Sequence, residues 1–335
     1  MHGETALSTH CAHPKKTMNP DRVLDSRTDR PWLVADIGAT NTRCALRLPH
    51  APRPDKLRLF ENSDFDSVSD VLGAYLASLD SKPVCGALAV AAPIGDDDVR
   101  MINRDWSFNR LQLASRLELE RLEIINDFHA VAWALPGIGN RDRVEVGHAS
   151  AYREGNRAVL GPGSGLGVGA WIAGDGRGLP MTGEGGHVTL SARSEQEDRI
   201  IALLRDRYGH CSAERVLSGP GIIALHSAMH DGDIKTSREI TSGTVDPKCR
   251  ATMEQFYRFL ASVSADLAMT TGAYGGLFIA GGIVPAHIDQ IRASSFRERF
   301  EDKNRYRDYM HAIPTYVITD PTPGLTGLAA FISRL

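Results

Sequence analysis

Twice in this chain a strand-like run breaks on a glycine loop and resumes at once as a second strand: "WLVADIGATNTRCALRL" at residues 32–48 and "RAVLGPGSGLGVGAWIAG" at residues 157–174. Two strands so closely spaced leave no room for a crossover, so each unit has to fold as a hairpin. The segments share little identity. Each nevertheless opens one half of the chain with the same plan of strand, loop and strand, a weak internal repeat of architecture. Two halves of this kind imply two lobes facing a cleft.

The surrounding patterns give an α/β class with mixed sheets. After the first hairpin come a third strand at "KLRLF" and a helix in "FDSVSDVLGAYLASL", where Val68, Val71, Leu72, Tyr75 and Leu76 recur at helical spacing. A buried strand "CGALAVAAPI", a helix "NRLQLASRLEL" and a strand "RLEIINDF" entering the helix "HAVAWALP" complete one domain. Residues 137–157 read as a charged loop. Past the second hairpin, helices are expected at "SEQEDRIIALLRDRYG", "GPGIIALHSAMHD" and "ATMEQFYRFLASVSADLAMTTG", and strands at "GLFIAGGI" and "TYVITD". At 335 residues the chain is long enough for two ordinary cores.

Charge is nearly balanced, with 38 basic against 41 acidic residues, which gives no reason to expect nucleic acid or an anionic membrane as partner. A small molecule or a second copy of the chain is the expected partner. Cys11, Cys44, Cys85, Cys211 and Cys249 are scattered without a C-x-x-C pair, which suits a reducing cytoplasm. No apolar run reaches the roughly 20 residues of a membrane span. Residues 1–30 carry Pro14 and Pro20 without periodicity and read as a flexible tail, too short and proline-broken to hold a DNA-binding helix-turn-helix. The final Ser333-Arg334-Leu335 is either the end of a helix or a peroxisome-type address.

Within the first loop, Gly38 allows unusual backbone angles, so that successive N–H groups can cup a phosphate. Thr40 and Asn41 add donors, and Asp36 offers the carboxylate that Mg²⁺ or its water needs. A plain turn with an Asx-type hydrogen bond is the competing reading. "GPGSGLG" strips side chains from four positions in seven, as expected where backbone approaches a ligand closely. Gly165-x-Gly167-x-x-Ala170 also matches the dinucleotide fingerprint. That fingerprint must open a helix, and "VGAWIAGDG" reads as a strand instead. Asn126 and Asp127 end a strand and begin a helix, a helix cap on one reading and the mouth of a cleft on the other. Glu184 and His187 flank a glycine pair without enough neighbours for a metal site. Glu214 reads on composition alone as an exposed helical carboxylate.

In this order, "DIGATNTR", "NRDWSF", "LEIINDFHAVAWALP", "GPGSGLG", "GEGGHV", "SAERVLSGPG", "GGLFIAGGIVP", "FEDKNRYRDY" and "TPGLTG" resemble the bacterial glucokinase family from Leu33 to the C-terminus. The resemblance implies a two-lobed actin-like ATPase (ribonuclease H-like) fold, with a small domain at residues 31–137 plus 320–335 and a large one at 138–319. It implies ATP-dependent phosphorylation of D-glucose at the 6-hydroxyl, with Mg²⁺, in a cytoplasmic homodimer. Asp127 would be the catalytic base, and Asn126, Glu184, His187 and Glu214 the sugar's hydroxyl partners. Asp36, Ile37, Gly38, Ala39, Thr40 and Asn41 would hold phosphates and metal from one lobe and Gly163, Ser164 and Gly165 from the other, with Gly281 and Gly282 facing the adenosine. Ala39 and Ser164 depart from the family's usual Gly and Thr, and both keep the loops open. The cysteine-rich zinc signature of the related repressor branch is absent. A kinase of another hexose, such as fructose or an amino sugar, is the alternative.

Overall fold

The computed structural model describes residues 30–49, 51, 53–102, 104–147, 153–174 and 177–335. The expected tail lies, apart from Arg30, outside the described residues, as does Cys11. The first half contains β1 (Trp32–Ile37), β2 (Asn41–Arg47), β3 (Asp55–Glu61), α1 (Val68–Ala77), β4 (Cys85–Val90), β5 (Asp98–Arg100), β6 (Ser107–Asn109), α2 (Arg110–Arg116), β7 (Arg121–Asn126) and α3 (Asp127–Ala134). The second contains β8 (Arg143–Glu145), β9 (Arg157–Pro162), β10 (Leu166–Ile172), β11 (Leu179–Thr182), α4 (Glu195–Tyr208), α5 (Gly219–Met229), α6 (Ser237–Ser242) and α7 (Pro247–Thr271). It continues through β12 (Leu277–Ile279), α8 (Ile288–Ala293), α9 (Phe296–Glu301), α10 (Arg307–His311), β13 (Thr315–Ile318) and α11 (Pro323–Ile332).

The weak repeat is a duplicated sheet. The first sheet has the order β3-β2-β1-β4-β7 and the second β11-β10-β9-β12-β13, with β8 added at its edge. In both, the hairpin pairs are antiparallel and the next two pairs parallel. The fifth strand of each sheet runs on toward a helix, β7 directly into α3 and β13 through a short link into α11. The stretch at 137–157, expected to be loop throughout, supplies the edge strand β8, whose three residues are too few to show a period. "GLFIAGGI" stays extended only to Ile279, because Gly281 takes a positive φ of 83° and turns the chain. Helix α7 is capped by Asp246, has Pro247 at its first position and ends on left-handed Gly272, as the sequence pattern anticipates for its C-terminus.

Helices α3 and α11 lie between the sheets. One apolar cluster joins Val34 and Ala87 of the first sheet, Ala130 and Trp133 of α3, Leu325 and Leu328 of α11, and Val159, Phe278 and Tyr316 of the second sheet. The helices cross at a contact that excludes even a methyl group. A Cβ on Gly327 would fall 1.7 Å from the Ala130 carbonyl oxygen. Opposite, the Phe128 ring presses on the β9–β10 hairpin where Gly161 and Gly167 leave a groove, with hypothetical Cβ atoms only 2.4 and 1.8 Å from the ring. Trp133 of α3 meets Trp171 of β10 edge to face at 5.4 Å. The terminal Ser333, Arg334 and Leu335 donate backbone hydrogen bonds that close α11, which is the helix-end reading of that tripeptide. No helix among the described residues is long and apolar enough to cross a membrane.

Because the atom facing Gly327 is backbone, relief requires the helices to move apart. Gly327→Ala is expected to destabilise the fold by about 2 kcal/mol or more, read as a lower urea midpoint.

Candidate active site

Between the sheets opens a cleft of about 540 Å³. Asp36, Gly38, Ala39, Asn126, Asp127, Gly163, Ser164, Gly165, Glu184, His187, Glu214, Gly281 and Gly282 all line it, drawn from positions up to 246 residues apart in sequence. Three expected residues do not. Ile37 is fully buried in the first-sheet core, Thr40 is exposed, and Asn41 is partly buried beside the turn.

Strand β7 delivers Asn126 and Asp127 to the cleft, and both readings of that step hold at once. The Asn126 amide oxygen accepts the N–H of Phe128 and His129 at 2.9 and 3.1 Å, capping α3, while its Nδ2 donates to Ala92 O at 3.2 Å. With its oxygen filled, Asn126 has one amide hydrogen left for a ligand. Asp127 sits in the first turn of α3. Burial first, then the charges of Asp36 and Glu184, push its carboxyl up to about 7, against the pull of the Phe128 N–H. Asp36 at the end of β1 is also raised by burial, opposed by Arg43 at 3.8 Å. The first turn of α11 lies against it, with Gly324 so close that a Cβ would come 3.0 Å from the carboxyl. The positive ends of two helices thus face the two aspartates.

The second-lobe carboxylates are held differently. Glu214, on a single 3₁₀ turn, is not the exposed helical carboxylate that composition favours. It is partly buried, and its Oε2 accepts the Leu166 N–H at 2.9 Å, leaving Oε1 for the cleft. Glu184 and His187 flank a 3₁₀ turn at 4.0 Å from each other, both half exposed. That turn seats on β10 through Gly186, where a Cβ would meet Leu166 O at 2.1 Å.

The glycine loops divide into two kinds. Gly161, Gly167, Gly186 and Gly281 are small because protein packs on them, Gly281 with a Cβ position 2.2 Å from Pro162 O. Gly163 and Gly282 face open space, where a ligand can come close to the backbone. The Gly38 N–H bonds Asn41 O and the Gly163 N–H bonds Gly165 O. Among the described residues, no acceptor takes the N–H of Ala39, Thr40, Ser164 or Gly165. These four are the loops' unclaimed donors. β10 is a strand, so the dinucleotide fingerprint fails in structure as it does in pattern.

Several lining residues went unread in the sequence, among them Arg43, Ile102, Phe128 and Asp320. Asp320 is nearly buried and accepts the Thr322 N–H at 2.9 Å and the Thr326 hydroxyl at 2.8 Å. Phe128 had a signal, a large ring directly after the aspartate opposite a strand pair stripped to glycine. The others had none.

Duplicated sheets facing each other across a cleft of carboxylates and glycine turns are the build of the two-lobed, actin-like sugar phosphotransferases. A solved glucokinase from an Antarctic psychrotroph superposes with a TM-score of 0.80 at 33% identity, covering 91% of this chain and 99% of that one. A ROK family glucokinase from Streptomyces griseus, solved in complex with glucose and AMPPNP, shares the fold at a TM-score of 0.58 and 19% identity, with coverage of 91% and 100%. The Glucokinase family model matches residues 33–335. Glucokinase of Erwinia tasmaniensis is 38% identical over 310 residues, 90% of this chain and 97% of the relative. The chain therefore belongs to the glucokinase family.

Because the folded state raises the Asp127 pKa from 3.8 to about 7, native stability contributed by the protonated form is complete below pH 3.8 and is lost as pH rises through 7. Asp127→Asn should melt higher than the parent at pH 8, with the gap closing toward pH 4. Calorimetry across that range checks it, and a gap that grows toward acid contradicts it.

Proposed function

We propose that this chain transfers the γ-phosphoryl group of ATP to the 6-hydroxyl of D-glucose, giving glucose 6-phosphate and ADP. The observation that carries the reading is the position of Asp127, a carboxylate with a pKa near 7 at a helix N-terminus, between two turns that carry unclaimed N–H groups. A general base works best near the operating pH. Asp127 takes the proton from the 6-hydroxyl as that oxygen attacks the γ-phosphorus and the bond to ADP breaks. Glu184, His187, the free Oε1 of Glu214 and the last amide hydrogen of Asn126 pair with the other hydroxyls. A misplaced hydroxyl leaves one of these groups unpaired, and loss of that kind discriminates by about 10⁴-fold or more, which favours a narrow hexose range.

Gly38, Ala39, Thr40 and Asn41 serve the phosphates from one side, with the side chain of Ile37 in the core and only its backbone near the loop. Gly163, Ser164 and Gly165 serve them from the other, and Gly281 and Gly282 border the nucleoside. Among the described residues there is no cluster of three or more His, Cys, Asp or Glu side chains for a metal. Mg²⁺ keeps water and substrate phosphate and takes one or two carboxylates, and Asp36, lining the cleft beside the first glycine loop, would be one of them. When bound, the ion neutralises phosphate charge. We place the lobe boundary so that residues 31–137 and 320–335 form the small domain and 138–319 the large one. A cytoplasmic homodimer completes the reading; bacterial relatives give the C-terminal address no support. Phosphorylation of fructose or an amino sugar is the alternative, and an ATP-coupled assay over a hexose panel separates the two.

Asp127→Ala should retain glucose binding while turnover drops at least about 10²-fold. In the parent, kcat/KM for glucose should fall about tenfold per pH unit below pH 7, and a flat profile to pH 5 would show that Asp127 ionises well below 7.

A further inference from the structure

Asn62 is a fully buried polar residue on a one-turn 3₁₀ helix after β3, outside the cleft, and its side chain and backbone N–H bond only the first glycine loop and the adjoining Thr42. Its Nδ2 donates to Gly38 O at 2.8 Å and to Ala39 O at 3.4 Å, and its backbone N–H donates to Thr40 O at 2.8 Å. One residue therefore takes three consecutive loop carbonyls. Its Oδ1 accepts the Thr42 hydroxyl at 2.7 Å, which fixes the amide with its donors toward the loop. The Asn62 carbonyl in turn accepts from the Arg104 guanidinium, which also bonds Phe65 O at 3.4 Å and lies 4.1 Å over the Trp106 ring. Arg104 stands two residues after Ile102, which lines the cleft.

In a planar trans peptide the C=O and the following N–H point in opposite directions. A side chain that draws the Gly38 and Ala39 carbonyls toward itself therefore turns the Ala39 and Thr40 N–H groups away from itself. Those are the loop's two unclaimed donors. Consecutive N–H groups held on one side form an anion-binding nest. We infer that Asn62 is a positioning residue for phosphoryl transfer, which presets the Ala39 and Thr40 N–H groups for a phosphate and is itself braced by Thr42 and Arg104. The inference rests on the reading that this loop holds the phosphates of ATP. Without the clamp the loop has to be ordered by the nucleotide, at the expense of affinity and of alignment with Asp127.

The test uses the full chain with glucose, MgATP and AMPPNP. In the parent, AMPPNP should slow hydrogen exchange at the Ala39 and Thr40 amides; if it does not, the phosphate reading of the loop is wrong. Given that protection, Asn62→Asp, which sets a carboxylate against two carbonyls, should raise KM for MgATP about tenfold or more and lower kcat. The glucose dissociation constant, measured without nucleotide, should stay within about twofold, and the AMPPNP protection of the two amides should be lost. Thr42→Val keeps the Asn62 donors and frees only their brace, so it should show a smaller change of the same kind, and it serves if Asn62→Asp does not fold. Parent-like MgATP kinetics and parent-like protection in both variants overturn the inference. So does an equal weakening of glucose and MgATP, which marks a merely structural residue.

Discussion

The fit of Phe128 into the glycine groove of β9 and β10, backed by the crossing of α3 on α11 at Gly327, sets the relation of the two lobes. Phe128 follows Asp127 directly. One step of helix thus sends a carboxylate into the cleft and a ring into the opposite sheet, so Asp127 is registered against the second-lobe turns by packing rather than by a flexible loop. Asn126, by capping the same helix, ties the start of that step to the first sheet through Ala92.

Among the described residues, five carboxylates line the cleft, from Asp36, Asp127, Glu184, Glu214 and Asp320, against a single guanidinium, Arg43. Burial explains why Asp127 and Asp36 hold their protons more tightly than free aspartate does, with the charges of Asp36 and Glu184 adding to it at Asp127 alone. Two helix N-termini offset part of that repulsion. The loops add neutral N–H donors rather than lysines, so a polyanion reaches this cleft without any excess of basic residues in the chain as a whole.

The hairpins, the buried central strands and the long helices were legible because period and glycine punctuation are local. Asn126 and Asp127 could be located but not decided between cap and site, since the pattern is common to both and the structure uses both. Glu214 was misread because nothing near it in sequence signals Leu166, whose N–H it holds from 48 residues away. The glycines of "GPGSGLG" were read as room for a ligand, yet Gly161 and Gly167 make room for a ring 33 and 39 residues earlier in the chain. Asn62 left no trace, being one polar residue at a strand end. What was missed is chiefly pairing across the fold, which periodicity does not encode.

Trp133 belongs to the helix that starts at Asp127 and Trp171 to the strand that leaves the second glycine turn, and their rings meet 5.4 Å apart. Indole emission depends steeply on the geometry of a neighbouring ring. The chain thus carries a native optical gauge of the angle between its lobes, readable without a label, with the buried Trp32 and Trp106 as its other two indoles.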